Sequence, residues 1–197
     1  MREPTDAARA ADATLPGGPR RWSRRRLLAA AGGALLAGGA AIALVRTSGY
    51  AVPPGQRLAV FAPWQFVVVQ HAARRITAPD RPGDPTIPSA DEAEVASFAD
   101  TWMTHLPEKP RQDLARFLAY VEHLAPIRAG FGSRFTRLPP ADQDRVLAAI
   151  ETSSSDLLRA GFDGLRSLVF LGYYRDPRTW KVIGYDGPLV GRPARGW

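Results

Sequence analysis

The chain has 197 residues, 45% hydrophobic and 23% charged, with 18 Gly, 18 Pro, no Cys and a formal charge of +7; this suits one domain with appendages and excludes a disordered or collagen-like chain. The missing cysteine removes disulfides, thiolate zinc sites, c-type haem attachment and cysteine nucleophiles together. Residues 1–51 carry eight Arg against Glu3, Asp6 and Asp12, a net of +5, whereas the other 146 residues carry 18 basic and 16 acidic side chains, a net of +2, so the body has no charge excess that argues for a nucleic-acid partner.

Residues 1–22 are polar and rich in Ala, Pro, Gly and Arg, as in a signal n-region. They lead into Ser23-Arg24-Arg25-Arg26-Leu27-Leu28, which resembles the twin-arginine export signal Ser/Thr-Arg-Arg-x-Phe/Leu-Leu at every position. From Leu27 to Val45 run 19 uncharged residues, eight Ala, four Gly and seven bulky aliphatics, the weakly apolar core of such leaders. At about 1.5 Å per residue they also span roughly 28 Å, nearly a bilayer core. The segment therefore reads as an export leader recognised by the twin-arginine translocase, as a membrane anchor through residues 27–45 with an Arg flank, or as both. Small residues at Ala41 and Ala43, or at Gly49 and Ala51, suit a cleavage site. Twin-arginine transport moves proteins already folded, often with a cofactor or partner subunit bound.

Residues 1–51 are thus leader or anchor, and Val52-Pro53-Pro54-Gly55 marks a linker into the body, residues 52–190. Pro63 suits the first turn of a helix to about Thr77, with Phe66, Val69, Ala73 and Ile76 as its stripe and Val67 and Val68 adding width. Four prolines between Ala78 and Pro88 require a loop. Ser89 or Asp91 caps the next helix, whose apolar positions are Val95, Phe98, Trp102 and Leu106. Pro107 and Pro110 interrupt before a helix over Arg111–Ile127, with Leu114, Phe117, Leu118, Val121 and Leu124 on one face and Pro126 ending or kinking it. Leu138-Pro139-Pro140 opens a helix through Ile150. The most regular pattern, Leu158, Phe162, Leu165, Leu168 and Val169, predicts a helix from Asp156 to about Tyr173. About five helices and no alternating strand pattern predict an all-α, small irregular bundle with an extended aromatic C-terminal tail.

The chemistry-bearing residues form no recognisable active site. His71, His105 and His123 fall in neither a His-Glu-x-x-His nor a Glu-x-x-His pattern. Gly130-Phe131-Gly132-Ser133 lacks the Lys of a phosphate loop and the spacing of a nucleophile elbow. The acidic pairs Glu92 with Glu94 and Asp142 with Asp144 fall in first helical turns, where they meet the helix dipole. No catalytic residue, metal ligand or cofactor site is assigned to this chain.

Residues 173–197 hold five aromatics, Tyr173, Tyr174, Trp180, Tyr185 and Trp197, and such side chains favour interfaces. The segment Gly172-Tyr173-Tyr174-Arg175-Asp176-Pro177-Arg178-Thr179-Trp180, followed by Gly184-Tyr185-Asp186-Gly187-Pro188, resembles the C-terminal signature of the gluconate 2-dehydrogenase subunit 3 family. That signature is an aromatic pair, an Asp-Pro-x-x-Trp step and a Gly-Tyr-x-Gly-Pro turn. The resemblance extends over roughly residues 57–190, and its last seventeen residues are the specific part.

What the resemblance implies is a noncatalytic accessory and escort subunit of an exported sugar or alcohol dehydrogenase. In such complexes a large subunit of the glucose-methanol-choline type carries FAD and lacks a leader, and a cytochrome c subunit often anchors the assembly. The small subunit's twin-arginine signal takes the folded pair to the periplasm or the outer face of the cytoplasmic membrane. Tyr173, Tyr174, Trp180, Tyr185 and Pro188 are then the contact candidates, followed by a tail at 191–197. The alternative is a stand-alone, membrane-tethered helical enzyme or ligand-binding protein, with a pocket near His71, His105 or His123.

Overall fold

The computed structural model describes residues 49–77 and 84–188. The export-signal residues Ser23, Arg24, Arg25, Leu27 and Leu28, the stretch 27–45 and the tail 191–197 lie outside them. The regular elements among the described residues are all helical, without a strand. In chain order come α1 (Pro63–Ile76), α2 (Val95–Met103), α3 (Glu108–Ala119), a π-helical turn (Tyr120–Leu124), α4 (Ala125–Arg128), a 3-10 turn (Phe135–Arg137), α5 (Pro140–Glu151), α6 (Asp156–Tyr174) and a second 3-10 stretch (Pro177–Ile183). This is the expected all-α bundle.

The helix α1 is the hub. Pro63 opens it where the missing N–H costs nothing, and the Gln65 side chain reaches back to accept the Ala62 N–H at 2.7 Å. Phe66, Val67, Val68, Val69, Ala72 and Ala73 are all buried, a band too wide for a helix with one covered face. Accordingly α1 packs against α2, α3, α5 and α6.

Two expected stripes are corrected. On α2 the buried positions are Val95, Ala96, Ala99, Asp100 and Met103, while Trp102 is 38% exposed and stacks on Phe98 with centroids 5.6 Å apart. The small alanines let α2 approach its neighbours, so the large rings are left at the edge. The single helix expected over Arg111–Ile127 begins instead at Glu108, with Pro110 in its first turn where no N–H is needed. It then widens into the π turn at Tyr120–Leu124. One extra residue per turn rotates everything beyond it, so Leu124, expected inside, is 55% exposed and Glu122 is fully buried.

Asp100 is 1% exposed and accepts three successive backbone N–H groups, from Ala59 at 2.6 Å, Val60 at 2.9 Å and Phe61 at 2.6 Å. These charge-assisted bonds hold residues 59–61, which enter α1, against α2. Asp100→Ala orphans three donors and should lower stability by about 3 kcal/mol in urea unfolding.

On α1, His71 Nδ1 stands 2.9 Å from Gln143 Nε2 of α5. Burial first, and then the Arg74 charge, hold the imidazole below its ordinary pKa, against a smaller opposing pull from Asp91. The folded state therefore binds fewer protons than the unfolded state just below pH 6.5, and stability is lost as pH falls through that range. His71→Gln should flatten this part of a stability profile between pH 7 and 5.

Candidate partner interface

Five of the large hydrophobic side chains that stay exposed lie within sixteen residues: Phe170 at 36%, Leu171 at 52%, Val182 at 45%, Ile183 at 55% and Tyr185 at 44%. They cluster because α6 outruns its cover. Its first four turns bury Phe162, Leu165, Leu168 and Val169. Near its end one side packs closely on α2, and there the chain needs Gly172. A Cβ at that position would stand 3.0 Å from Phe98 Cδ1 and 3.1 Å from Val95 Cγ1. The opposite side, Phe170 and Leu171, faces outward.

Beyond Tyr174 the chain folds back on itself. The Asp176 carboxylate caps the 3-10 stretch by accepting the Arg178 N–H at 2.9 Å, and its bonds to the Arg178 side chain hold it below the usual carboxylate pKa. Thr179 is fully buried, its hydroxyl donating to the Tyr173 carbonyl at 3.2 Å and the Asp176 carbonyl at 2.8 Å. Trp180 Nε1 donates to the Tyr174 carbonyl at 2.7 Å. The stretch ends at Gly184 with φ +65°, and the following turn uses Gly187 at φ +97°, the left-handed region that favours glycine. The Gly-Tyr-x-Gly-Pro pattern thus has a backbone reason. Lys181 Nζ reaches the Thr86 hydroxyl, and Arg178 Nη2 the Glu92 carbonyl at 3.3 Å, which fastens the segment to the loop before α2.

The aromatic contacts run in series. Tyr185 meets Trp180 edge-on at 5.1 Å, Trp180 is bonded to Tyr174, and Tyr174 sits 5.7 Å from Phe170 and 5.4 Å from Tyr173. The five residues singled out from the sequence therefore occupy different environments. Tyr173 is 3% exposed, with its hydroxyl donating to the Pro88 carbonyl at 2.9 Å and burial raising its pKa; it belongs to the chain's own core. Tyr174 and Trp180 are half-buried, while Tyr185 and Pro188 are exposed. Phe170, Leu171, Val182 and Ile183 complete the apolar surface and were not singled out, because on α6 they read as helix surface and after it as turn. Arg175 lies over the Phe98 ring at 5.2 Å, linking this surface to exposed Trp102.

The interior offers less for chemistry. Among the described residues no group of three or more His, Asp or Glu could hold a metal ion. A cavity of about 500 Å³ is lined by Val60, Phe61, Gln65, Met103, Glu108 and Arg111 among others. Its amides are already engaged, Gln65 on the Ala62 N–H at 2.7 Å and Gln112 on Glu108 at 2.6 Å. None of the three histidines lines it: His71 pairs with Gln143, His105 faces the Trp102 ring at 6.0 Å and His123 the Trp64 ring at 6.5 Å.

The buried and exposed members of the band should respond differently to substitution. Tyr173→Phe loses the bond to Pro88 and should cost about 1 kcal/mol in urea unfolding, whereas Ile183→Ser should leave stability within about 0.5 kcal/mol.

Residues 63–187 match the family described as gluconate 2-dehydrogenase subunit 3, more than half of the chain. No curated protein and no solved structure matches significantly.

Proposed function

The chain belongs to the gluconate 2-dehydrogenase subunit 3 family, and from that membership we propose that it is the noncatalytic accessory and escort subunit of an exported sugar or alcohol dehydrogenase. The partner is a large FAD-dependent subunit of the glucose-methanol-choline type, which the small subunit stabilises. FAD is carried by that partner, and the complex leaves room for a cytochrome c subunit of the kind that often anchors such assemblies. The twin-arginine pattern at Ser23, Arg24, Arg25, Leu27 and Leu28 supplies the export signal for both, and the complex works in the periplasm or at the outer face of the cytoplasmic membrane.

The observation that carries this reading is the exposed apolar band from Phe170 to Tyr185, held in place by Asp176, Thr179 and two left-handed glycines. Large contiguous apolar surface is uncommon on a monomer and marks interaction sites. Obligate interfaces bury on the order of 2,000 Å² or more, and their energy concentrates in aromatic and large aliphatic anchors. Leu171, Val182, Ile183 and Tyr185 are side chains of that kind, and Trp180 packs on Tyr185. Pro188 continues the surface at the edge of the described residues. Tyr173 acts from inside, by fixing the end of α6.

Affinity capture of the tagged full-length chain from its host's envelope, read by mass spectrometry and flavin absorbance, should return a stoichiometric large flavoprotein. Ile183→Asp with Tyr185→Ala should weaken that capture at least tenfold while leaving the thermal transition of the isolated chain in place. Capture of a colourless monomer, or undiminished flavoprotein with the double variant, would remove the band from the interface.

A further inference from the structure

Residues 49–61 contain no helix, yet buried carboxylates hold both ends of this arm to the body. At one end the Tyr50 hydroxyl donates to Glu122 Oε1 at 2.8 Å, and the Arg134 guanidinium lies 4.1 Å over the Tyr50 ring. Glu122 is fully buried and Arg134 5% exposed, with Arg134 Nε 3.4 Å from Glu122 Oε1. Thr136 fixes the carboxylate further, its N–H donating to Oε2 at 3.1 Å and its hydroxyl to Oε1 at 2.7 Å. At the other end Asp100 takes the N–H groups of residues 59–61. Between them the Ser97 hydroxyl donates to Gln56 Oε1 at 3.0 Å, and Val52 and Leu58 pack on the core. The family match starts at residue 63, so the arm precedes it.

A peptidase takes its substrate extended over several residues, and a bond in a folded protein is cut only when the surrounding backbone can leave the body. Of the two small-residue pairs that suit leader cleavage, Gly49 with Ala51 brackets Tyr50, the residue docked on Glu122. Ala51 itself is exposed; its neighbours restrain it, since presenting the bond would strip Glu122 of a hydrogen bond in an interior where its remaining charge is costly to leave unsatisfied. Burial, and after it Glu122, push the Tyr50 hydroxyl above its ordinary pKa, in keeping with its place as a donor to Glu122.

We propose that the folded body protects the Ala51–Val52 bond, so that processing of the leader stops N-terminal to Gly49 and the exported protein keeps Tyr50 and the whole arm. This rests on reading residues 23–45 as a leader whose cargo crosses the membrane folded: the arm is then docked before any peptidase meets it, and the body selects the site.

Elastase, which cuts after small residues, tests the protection on the purified full-length chain with intact mass as the readout. In the wild type the Ala51–Val52 bond should persist, so that no fragment beginning at Val52 accumulates. Tyr50→Ala should open the Ala51–Val52 bond about tenfold faster, with far-UV circular dichroism unchanged. Should that variant not fold, Tyr50→Phe keeps the ring, removes the hydroxyl and with it the bond to Glu122, and should give a smaller but measurable acceleration. Cleavage after Ala51 as fast as in the leader, or equal rates in wild type and variant, overturns the proposal. The mass of the chain recovered from its host's envelope reads native processing: an N-terminus at or before Gly49 supports the proposal and one at Val52 overturns it. A chain found only in the cytoplasm refutes the leader reading, while the elastase comparison still decides whether the arm is protected.

Discussion

A single carboxylate, that of Asp100, sets the geometry on which the bundle is built. Backbone N–H groups in an irregular segment have no ladder to join, and burying them unsatisfied is expensive. Asp100 gathers three in succession, which lets residues 59–61 run through the core margin and deliver Phe61 to the start of α1. The same bonds fix α2 to α1, and α2 in turn meets α6 at Gly172. The placement of the last turn of α6, and so of the apolar surface beyond it, follows from a polar contact at the other end of the chain.

Glu122 solves a related problem on the opposite side. The π turn Tyr120–Leu124 places a carboxylate inside, where a regular helix would have kept an apolar stripe going. Its cost is met by Tyr50, Thr136 and Arg134 together. A buried ion pair seldom adds net stability compared with apolar packing, but removing one partner is damaging. The role that fits such an arrangement is specification: it dictates where the 3-10 turn at Phe135–Arg137 and the arm at Tyr50 must sit. Arm and body therefore share two carboxylate junctions, each between segments far apart in sequence.

The helices were legible because their patterns obey one periodicity and their ends carry Pro63, Pro140 and Asp156. Core residues of α1 and α6 could be named for the same reason. What could not be read were the places where spacing changes or where polarity is inverted. A π turn has no local signature, so Leu124 was assigned inside by extrapolating a stripe that had already rotated. Asp100 and Glu122 are acids at helical positions, and an acid in a helix is ordinarily solvent-facing; their burial depends on donors 39 to 72 residues away in sequence, from Phe61 for Asp100 to Tyr50 for Glu122, and on the nearby turn at Thr136. The aromatic C-terminus was recognised by composition and by family resemblance. Which of its rings turn inward was decided by Pro88 and Thr179, contacts no spacing rule reveals.

The 3-10 stretch Pro177–Ile183 has one more consequence. Seven residues is long for this conformation, whose hydrogen bonds are poorly aligned and which rarely continues past three or four. It survives through local bonds at Asp176, Thr179 and Trp180 and through the tertiary ties of Lys181 to Thr86 and Arg178 to Glu92. Local opening free energies follow such ties, which makes this segment softer than the helices it adjoins. A protein that binds it raises its opening free energy by mass action, so amide hydrogen exchange along residues 177–184 becomes a gauge of whether the subunit is alone or assembled.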